Sequence, residues 1–252
     1  MTFTYDGTYH GLLSVIFESY RLKVDVQRII PEFAWQESLF EKPIFVTTRK
    51  DWANRVLKGV RKKTSSRSIS MLHRCYLSEK ENIEMLIFDF IKKAMASTQN
   101  IEGNFLDSTV LKLQQINKMI GREVHRMHAF VRFQLTKDDI HFSTIEPDFD
   151  VLTLIVDHFE KRYPAQNWLI YDLKRHYGMF FNQKKTEAIT FSEKDHQQLR
   201  VISSSILEES ETSYQEGWKA YFKSTNIPAR RNMKLHLQHV PKRYWKYLVE
   251  KV

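Results

Sequence analysis

The sequence contains little cysteine and little glycine. Cys75 is the single cysteine among 252 residues, and one thiol cannot form an intramolecular disulfide or the multi-cysteine ligand set of a zinc or iron–sulfur site. Seven glycines are present, and neither GxGxxG nor GxxxxGK[ST], the glycine-rich phosphate-binding motifs, occurs. We therefore expect a protein of the reducing cytoplasm without a glycine-rich nucleotide-binding loop, and we expect Cys75 to be a structural thiol.

Long apolar runs are also missing. No stretch approaches the 18 consecutive apolar residues of a membrane span, and the first ten residues, MTFTYDGTYH, have neither the basic nor the apolar region of a signal peptide. We expect no membrane span, no membrane partner and no secretory signal. Apolar residues make up 42% of the chain and aromatic residues 13%, which is enough to bury a core and argues against global disorder.

The positive charge is concentrated in two segments. The chain has 39 Lys plus Arg against 30 Asp plus Glu, a formal net charge of +9. The first basic segment, Arg49–Arg67, has a local charge of +7, and the second basic segment, Ile227–Val252, has +6, while the remainder sums to −4. Concentrated positive charge indicates an anionic partner more strongly than a net value does.

The first basic segment predicts a helix with cations on its open faces. Trp52, Val56 and Val60 recur every four residues, and Thr48 is the predicted N-cap. Cations near short hydroxyl side chains are typical of phosphate contacts. The candidates for nucleic-acid binding in this segment are Arg61, Lys62, Lys63 and Arg67. The alternative is a solvated helix face.

The second basic segment interleaves cations with aromatic side chains. Cations can neutralise phosphate groups while aromatic rings stack on unpaired bases. The candidates for nucleic-acid binding here are Arg230, Arg231, Lys242, Arg243, Tyr244 and Trp245. The alternative is that Trp245 and Tyr247 attach the end of the chain to the core.

The order of helical and strand patterns predicts an α+β fold. A β-β-α-β-β unit within residues 129–191 predicts a central antiparallel sheet, flanked by N- and C-terminal helices. Residues 1–128 are mainly helical with short strands, and residues 192–252 are helical with a basic tail. These three parts are either separate or integrated in one domain.

The densest polar cluster, GREVHRMHAFVRF, starts at residue 121. Helical spacing puts Arg122, His125 and Arg126 on one face, with Arg132 following on a strand. This face could hold a phosphate or a carboxylate. The alternative is that Glu123 and Glu146 pair with these arginines inside the fold.

Catalytic residues are not evident from any standard motif. A histidine with several carboxylates suits a magnesium- or manganese-dependent nuclease, and the candidates are His125, Glu146, Asp148 and Asp172. Asp148 and Asp150 also precede a predicted helix, and N-capping is the favoured interpretation of these two. We assign no metal site, and whether the protein is an enzyme stays open.

Several longer strings match one family in order. They are YDGTYHGLLSVIFESY, REVHRMHAFVRF, IEPDFDVLTLIVDHFEKRYPAQNWLIYDLKR, GWKAYFKSTNIPARRN and PKRYWKYL. From Tyr5 to Leu248 the chain resembles a bacterial family of uncharacterised proteins ascribed to DNA metabolism and DNA repair. Members are encoded beside a radical-SAM protein, and some are fused to a uracil-DNA-glycosylase-like domain. This chain ends soon after KRYWKYL, so we expect the form without that domain.

The resemblance implies a role in DNA metabolism. Together with the basic segments it favours an accessory protein that binds single- or double-stranded DNA and presents it to the radical-SAM partner. Any iron–sulfur and SAM chemistry would then come from that partner, so we expect no cofactor on this chain. The alternatives are a metal-dependent nuclease or base-processing enzyme, and a protein-interaction subunit without affinity for DNA.

Overall fold

The computed structural model of the chain describes residues 1–36, 42–192, 207–225, 233, 237 and 239–251. The chain divides by its contacts into the N-terminal unit, Met1–Ile120, and the C-terminal unit, Gly121–Val252. The predicted division into residues 1–128, 129–191 and 192–252 follows local sequence patterns rather than contacts, and it stays a prediction. None of the helices in the described ranges combines the length and the apolar composition that a membrane span needs.

A three-stranded parallel sheet begins the N-terminal unit. The buried strand β1 (Thr2–Tyr5) lies between β2 (Arg28–Pro31) and β3 (Ile44–Phe45). Both pairs are parallel. For β1 and β2 this follows because the helix α1 (Tyr9–Leu22) returns the chain to the end of the sheet from which β1 started. Sequence patterns predicted short strands in this part of the chain without fixing their bounds, and β2 is only four residues long and ends in proline.

A tight turn joins β1 to α1. Gly7 has a φ of +77°, a left-handed conformation that glycine adopts without steric cost. The Thr8 hydroxyl caps α1 by accepting from Gly11 N–H at 3.0 Å. Thr48 donates to Asp6 at 2.7 Å, so its predicted role as the N-cap of the next helix is wrong, and Arg49 occupies that position instead.

Helices complete the N-terminal unit. They are α2 (Lys50–Lys63), α3 (Ser66–Tyr76), α4 (Ile83–Ala96) and the first turns of α5 (Ser108–Phe130). The helix predicted in the first basic segment is confirmed as α2. Val56 and Val60 are buried, and Trp52 stacks on Phe17 with ring centroids 4.9 Å apart. This apolar stripe leaves the cations of α2 on its open faces.

A five-stranded mixed sheet forms the centre of the C-terminal unit. Its strands are β4 (Gln134–Leu135), β5 (His141–Ile145), β6 (Asn167–Asp172), β7 (Tyr177–Asn182) and β8 (Thr186–Ile189), hydrogen-bonded in that order. The helix α6 (Leu152–Arg162) connects β5 to β6.

The predicted antiparallel sheet is therefore wrong in part. The β5–β6 pair is parallel, whereas the other three pairs are antiparallel. A helical crossover between neighbouring strands makes them parallel, and the predicted β-β-α-β-β order already contained such a crossover. The fold is mixed α/β, with one parallel and one mixed sheet, rather than a central antiparallel sheet.

The C-terminal elements lie along the β4 edge of this sheet. The helix α7 (Glu209–Thr225) is attached to β4, because Leu135 N–H donates to Glu211 Oε2 at 3.0 Å and the Leu135 carbonyl accepts from Glu208 N–H at 3.0 Å. Two short 3-10 helices follow, at Lys242–Tyr247 and Val249–Lys251. These contacts bring α7 and the end of the chain beside β4 and β5.

Candidate functional site

A buried carboxylate organises one end of the C-terminal unit. Glu123 lies on α5 with 1% of its surface exposed. Its Oε1 atom accepts from the backbone N–H of Asp148 at 2.9 Å and from the Tyr244 hydroxyl. Its Oε2 atom accepts from Arg126 at 3.5 Å and from Arg243 at 3.3 Å. A buried charge is tolerated only when it is paired and hydrogen-bonded, and these four partners meet that requirement. Through them Glu123 connects α5, the loop before α6 and the C-terminal 3-10 helix.

Arg243 and Tyr244 extend this network. Arg243 Nη2 lies 2.7 Å from Asp148 Oδ2 and donates to the Tyr244 hydroxyl at 2.8 Å. Burial raises the pKa of Tyr244, and Glu123 raises it further, so the hydroxyl stays protonated and donates to that carboxylate. The side chains of this network hold the segment in place, and they leave little of Tyr244 accessible.

Glu146 attaches the same 3-10 helix to the end of β5. Its Oε2 atom accepts from Lys246 Nζ and from the Tyr247 hydroxyl, the latter at 2.8 Å. Tyr247 also packs against the buried cluster of Phe142 and its neighbours on one face of the sheet. The hydrogen bond to Glu146 fixes the direction of the Lys246 side chain.

Glu250 connects the last 3-10 helix to the segment after α5 and to α7. It accepts from Arg132 Nη2 at 3.0 Å and from Trp218 Nε1 at 2.9 Å. Burial acts to raise the pKa of Glu250, but the hydrogen bonds from Arg132 and Trp218 outweigh it, and the pKa lies below its usual value. Glu250 is therefore ionised at neutral pH and holds Arg132 in a defined orientation.

An open pocket of about 230 Å³ lies among these elements. Its walls come from the chain after α5, from β4 and β5, from α7 and from the C-terminal 3-10 helices. Three cations and several neutral hydrogen-bonding groups line it, among them Arg132, Lys219, Lys246, Ser143, Thr144 and Gln215. Cationic, hydroxyl and amide donors that converge in this way suit a phosphate or a carboxylate group.

The pocket lining includes polar groups without an internal partner. Within the described part of the chain, the buried atoms Arg132 Nε and Gln134 Oε1 make no hydrogen bond, although buried polar groups nearly always do. Lys219 is exposed and forms no ion pair with a described residue. Acidic partners thus fix two cations of the pocket, and the third is free to reach an anion.

The predicted catalytic residues do not form one site. Each of the three acids is engaged by its own cation: Glu146 by Lys246, Asp148 by Arg243, and Asp172 by Arg175. His125 is exposed on α5. No group of three or more His, Cys, Asp or Glu side chains that could hold a metal ion occurs among the residues that the structure describes.

Asp172 illustrates the structural role of these acids. It is fully buried and accepts from the backbone N–H of Lys174 and from Arg175 Nη1, both at 2.8 Å. Burial raises the pKa of Asp172, although the hydrogen bond from Arg175 opposes this shift. The carboxylate closes the turn between β6 and β7 rather than facing a cleft.

N-capping by Asp148 or Asp150 is also wrong. The N-cap of α6 is Val151, without a side-chain capping bond. Asp150 instead accepts from the Tyr177 hydroxyl at 2.5 Å, and Asp148 is paired with Arg243. In both cases a long-range partner takes the carboxylate that the local pattern assigned to the helix end.

The predicted nucleic-acid-binding residues are divided between the units. Arg61, Lys62 and Lys63 are exposed on α2, and Lys63 donates to the Ser97 carbonyl at 2.8 Å. Arg67 lines a separate cavity of the N-terminal unit. In the first basic segment the cations therefore face solvent, as predicted.

The predicted nucleic-acid-binding residues of the C-terminal unit differ in their exposure and in what they contact. Arg122 and Lys242 are exposed, and Arg132 lines the pocket. The alternative in which Glu123 pairs with an arginine of the polar cluster is confirmed for Arg126. Arg230 and Arg231 lie outside the described residues.

The aromatic candidates of the second basic segment serve the fold. Tyr244 is 1% exposed and packs on Phe130, so its ring offers no face to a base, and its assignment to nucleic-acid stacking is corrected. Trp245 is half-buried, and its Nε1 donates to the Val240 carbonyl at 3.0 Å. The alternative, in which Trp245 and Tyr247 attach the end of the chain to the core, is confirmed for Tyr247, which packs against the buried cluster of Phe142.

Sequence reasoning missed several pocket residues. Ser143 and Thr144 lie on β5, and Gln215 and Lys219 lie on α7. A period of four between Gln215 and Lys219 was visible and puts both on one face of a helix. The pairing of α7 with β4 was not visible, because it depends on long-range backbone contacts.

Cys75 is a structural thiol, as expected. It is fully buried, its Sγ donates to the Leu113 carbonyl at 3.3 Å, and burial raises its pKa to about 12. A buried thiol with such a pKa is protonated at neutral pH and is a poor nucleophile.

Comparison with known proteins gives one match. A family model described as a domain of unknown function, DUF4130, matches residues 81–250, more than half of the chain. No curated protein and no solved structure matches the chain. The matched range contains every residue that lines the pocket.

Proposed function

Since the chain belongs to the DUF4130 family, whose function is unknown, we propose its function from its own residues: it binds nucleic acid by holding backbone phosphate groups in the pocket of the C-terminal unit. The observation that carries this proposal is the set of three lining cations, Arg132, Lys219 and Lys246, with no carboxylate among the described lining residues.

The chemistry of the pocket matches a phosphodiester. A phosphate presents several acceptor oxygens and one negative charge, and the pocket presents guanidinium, ammonium, hydroxyl and amide donors. Glu146 and Glu250 fix Lys246 and Arg132 from the side, so these donors are already oriented before a ligand arrives. Preorganised donors lose less conformational entropy on binding.

The exposed cations of α2 support the same proposal. Lys58, Arg61 and Lys62 are exposed and form no ion pair with a described residue. Unpaired surface cations attract a polyanion over a distance and make its binding dependent on salt. The alternative of a solvated helix face differs from this proposal in predicting no effect of these cations on binding.

The finer proposal is an accessory role in DNA metabolism. The resemblance described above supports DNA as the nucleic acid and a radical-SAM protein as the partner, in the cytoplasm. The single cysteine supports a division of labour, because an iron–sulfur cluster needs several thiolates and Cys75 is buried. Such a cluster would belong to the partner, and this chain would supply the affinity for DNA.

Binding of labelled DNA at several salt concentrations tests the proposal. We expect micromolar or tighter binding that weakens with salt, with a slope of about 0.9 in log K per log salt for each phosphate contact on duplex DNA. Lys219→Ala removes the free cation of the pocket and should lower affinity and reduce that slope by about one contact. Lys185→Ala is the matched control, because Lys185 is also exposed in the C-terminal unit but pairs with Glu187 outside the pocket.

The outcomes separate the alternatives. Equal affinities of the Lys219→Ala and Lys185→Ala variants would remove the pocket from the proposal. No salt-dependent binding in the micromolar range, together with co-purification of a radical-SAM protein after nuclease treatment, would instead favour a protein-interaction subunit.

A further inference from the structure

Among the described side chains of α7, three aromatic ones are exposed. Tyr214, Trp218 and Tyr221 expose 72%, 41% and 58% of their surfaces. Their spacing of four and three residues puts them on one face of the helix, over about 10 Å of its length at 1.5 Å per residue. Large aromatic residues grouped on a surface mark a binding site more often than isolated ones do.

The central ring of this face has a defined orientation. The indole N–H of Trp218 donates to Glu250 at 2.9 Å, and the Arg132 guanidinium lies 5.9 Å from its ring centroid. The ring of Tyr221 lies 5.7 Å away at an angle of 34°. These contacts hold the ring of Trp218 in one orientation, which reduces the entropy that stacking would cost.

The aromatic face and the pocket share one helix. Lys219 and Gln215, which line the pocket, alternate along α7 with the exposed rings. Glu250 contacts both Trp218 and Arg132, so it connects one ring of the aromatic face with one cation of the pocket. Cations that bind phosphates thus lie beside rings that can stack on bases.

From this arrangement we propose that the ligand of the C-terminal unit is single-stranded nucleic acid, whose unpaired bases stack on Tyr214, Trp218 and Tyr221 while its phosphates occupy the pocket. This inference rests on the proposed function and specifies its substrate class. In a duplex the base faces are already stacked on one another, so the aromatic face would gain nothing from them. The span of about 10 Å matches about three base steps of a stacked strand.

A comparison of single-stranded and duplex DNA tests the inference. We would measure binding of a labelled oligothymidine and of the same strand annealed to oligoadenosine, at one salt concentration. Wild type should bind the single strand at least about tenfold more tightly. The double variant Tyr214→Ala with Tyr221→Ala should lose about tenfold or more of its single-strand affinity, because one stacked base contributes about that factor.

Two controls separate stacking from folding. Replacing both tyrosines by phenylalanine keeps the rings and should retain the single-strand affinity. Phe33→Ala removes a ring of the N-terminal unit that is more exposed, at 83%, and should leave the single-strand affinity unchanged. An intact helical circular dichroism spectrum of each variant shows that the fold is retained.

The failure of this inference is distinct from the failure of the proposed function. If duplex and single strand bind equally, and the alanine double variant affects neither, the inference is overturned while phosphate binding by Lys219 stands. If the alanine variant instead loses affinity for a radical-SAM protein and not for DNA, the aromatic face belongs to a protein interface and the inference is likewise overturned.

Discussion

The two basic segments differ in what their cations contact. On α2 the cations Lys58, Arg61 and Lys62 face solvent without an ion pair to a described residue. In the C-terminal 3-10 helix, Arg243 and Lys246 are each held by acids. Similar local charges, +7 and +6, therefore describe two different kinds of surface.

This difference separates attraction from positioning. Free cations on a helix contribute mainly long-range electrostatics, which salt screens. Cations fixed by carboxylates contribute less net charge but a defined geometry, as at the pocket with Arg132 and Lys246. A charge count along the sequence measures only the long-range attraction, because it cannot show which acidic side chains pair with the cations in the fold.

Removal of Glu123 should produce the largest effect. Glu123→Ala leaves Arg126, Arg243 and the Tyr244 hydroxyl without their buried partner. Leaving the buried Tyr244 hydroxyl and the Asp148 N–H without their acceptor costs about 1–3 kcal/mol each. We therefore expect a large fall in the unfolding midpoint of the C-terminal unit in denaturant, followed by tryptophan fluorescence.

Glu187→Ala is the matched control for this prediction. Glu187 pairs with Lys185 on the surface, with both side chains at least half exposed, and such pairs contribute about 0–1 kcal/mol. If the two variants unfold at the same denaturant concentration, the Glu123 network does not organise the C-terminal unit.

Local sequence patterns predicted helices and strands better than the long-range contacts that these elements make. The helix of the first basic segment follows from the apolar spacing of Trp52, Val56 and Val60. The Asp107 side chain caps α5 by accepting from Thr109 N–H at 2.8 Å, a contact between near neighbours in the sequence. These features depend on neighbours in sequence, so the sequence contains the information directly.

The errors arose where distant residues compete for the same group. Thr48 and Asp148 were assigned to helix ends, but Asp6 and Arg243 take their side chains. The β4 edge of the sheet is attached to α7 by Glu211, a contact that no spacing rule describes. The pocket depends on this attachment, so only the charge of its residues, not their convergence, was predictable.

Charge removal on α2 should have an intermediate effect, on binding rather than on stability. The double variant Arg61→Ala with Lys62→Ala should reduce the salt slope by about 0.9 per lost contact on duplex DNA and about 0.7 on a single strand. Surface substitutions of this kind change stability by less than about 0.5 kcal/mol each. The salt dependence of DNA affinity measures the first effect.

A second double variant distinguishes local contacts from bulk charge. Lys112→Ala with Lys118→Ala removes the same charge from exposed positions of α5 in the N-terminal unit. If both double variants lower the salt slope equally, the cations of α2 act only through net charge. A larger effect of the α2 variant would show that this helix contacts phosphates.

The smallest expected effect concerns pH. In the C-terminal unit, His128 stacks on His158 with ring centroids 4.0 Å apart. Burial lowers the pKa of His128, and the nearby imidazoles of His158 and His125 lower it further. The unfolded chain then binds a proton more readily than the folded chain does, so the stabilisation is complete above about pH 6.5 and is lost as the pH falls through the folded pKa.

His158→Gln should weaken this pH dependence, because it removes the neighbouring imidazole without removing His128. The measurement is the denaturant midpoint at pH 7.5 and pH 5.5 for the variant, for wild type and for His239→Gln, which replaces an exposed histidine. We expect the midpoint of His158→Gln to fall less on acidification than that of wild type. In the N-terminal unit burial, and then His10, lowers the pKa of His73, so that unit should keep its own acid sensitivity in the variant. Equal pH dependence of all three proteins would show that the stacked pair does not control the acid stability of the C-terminal unit.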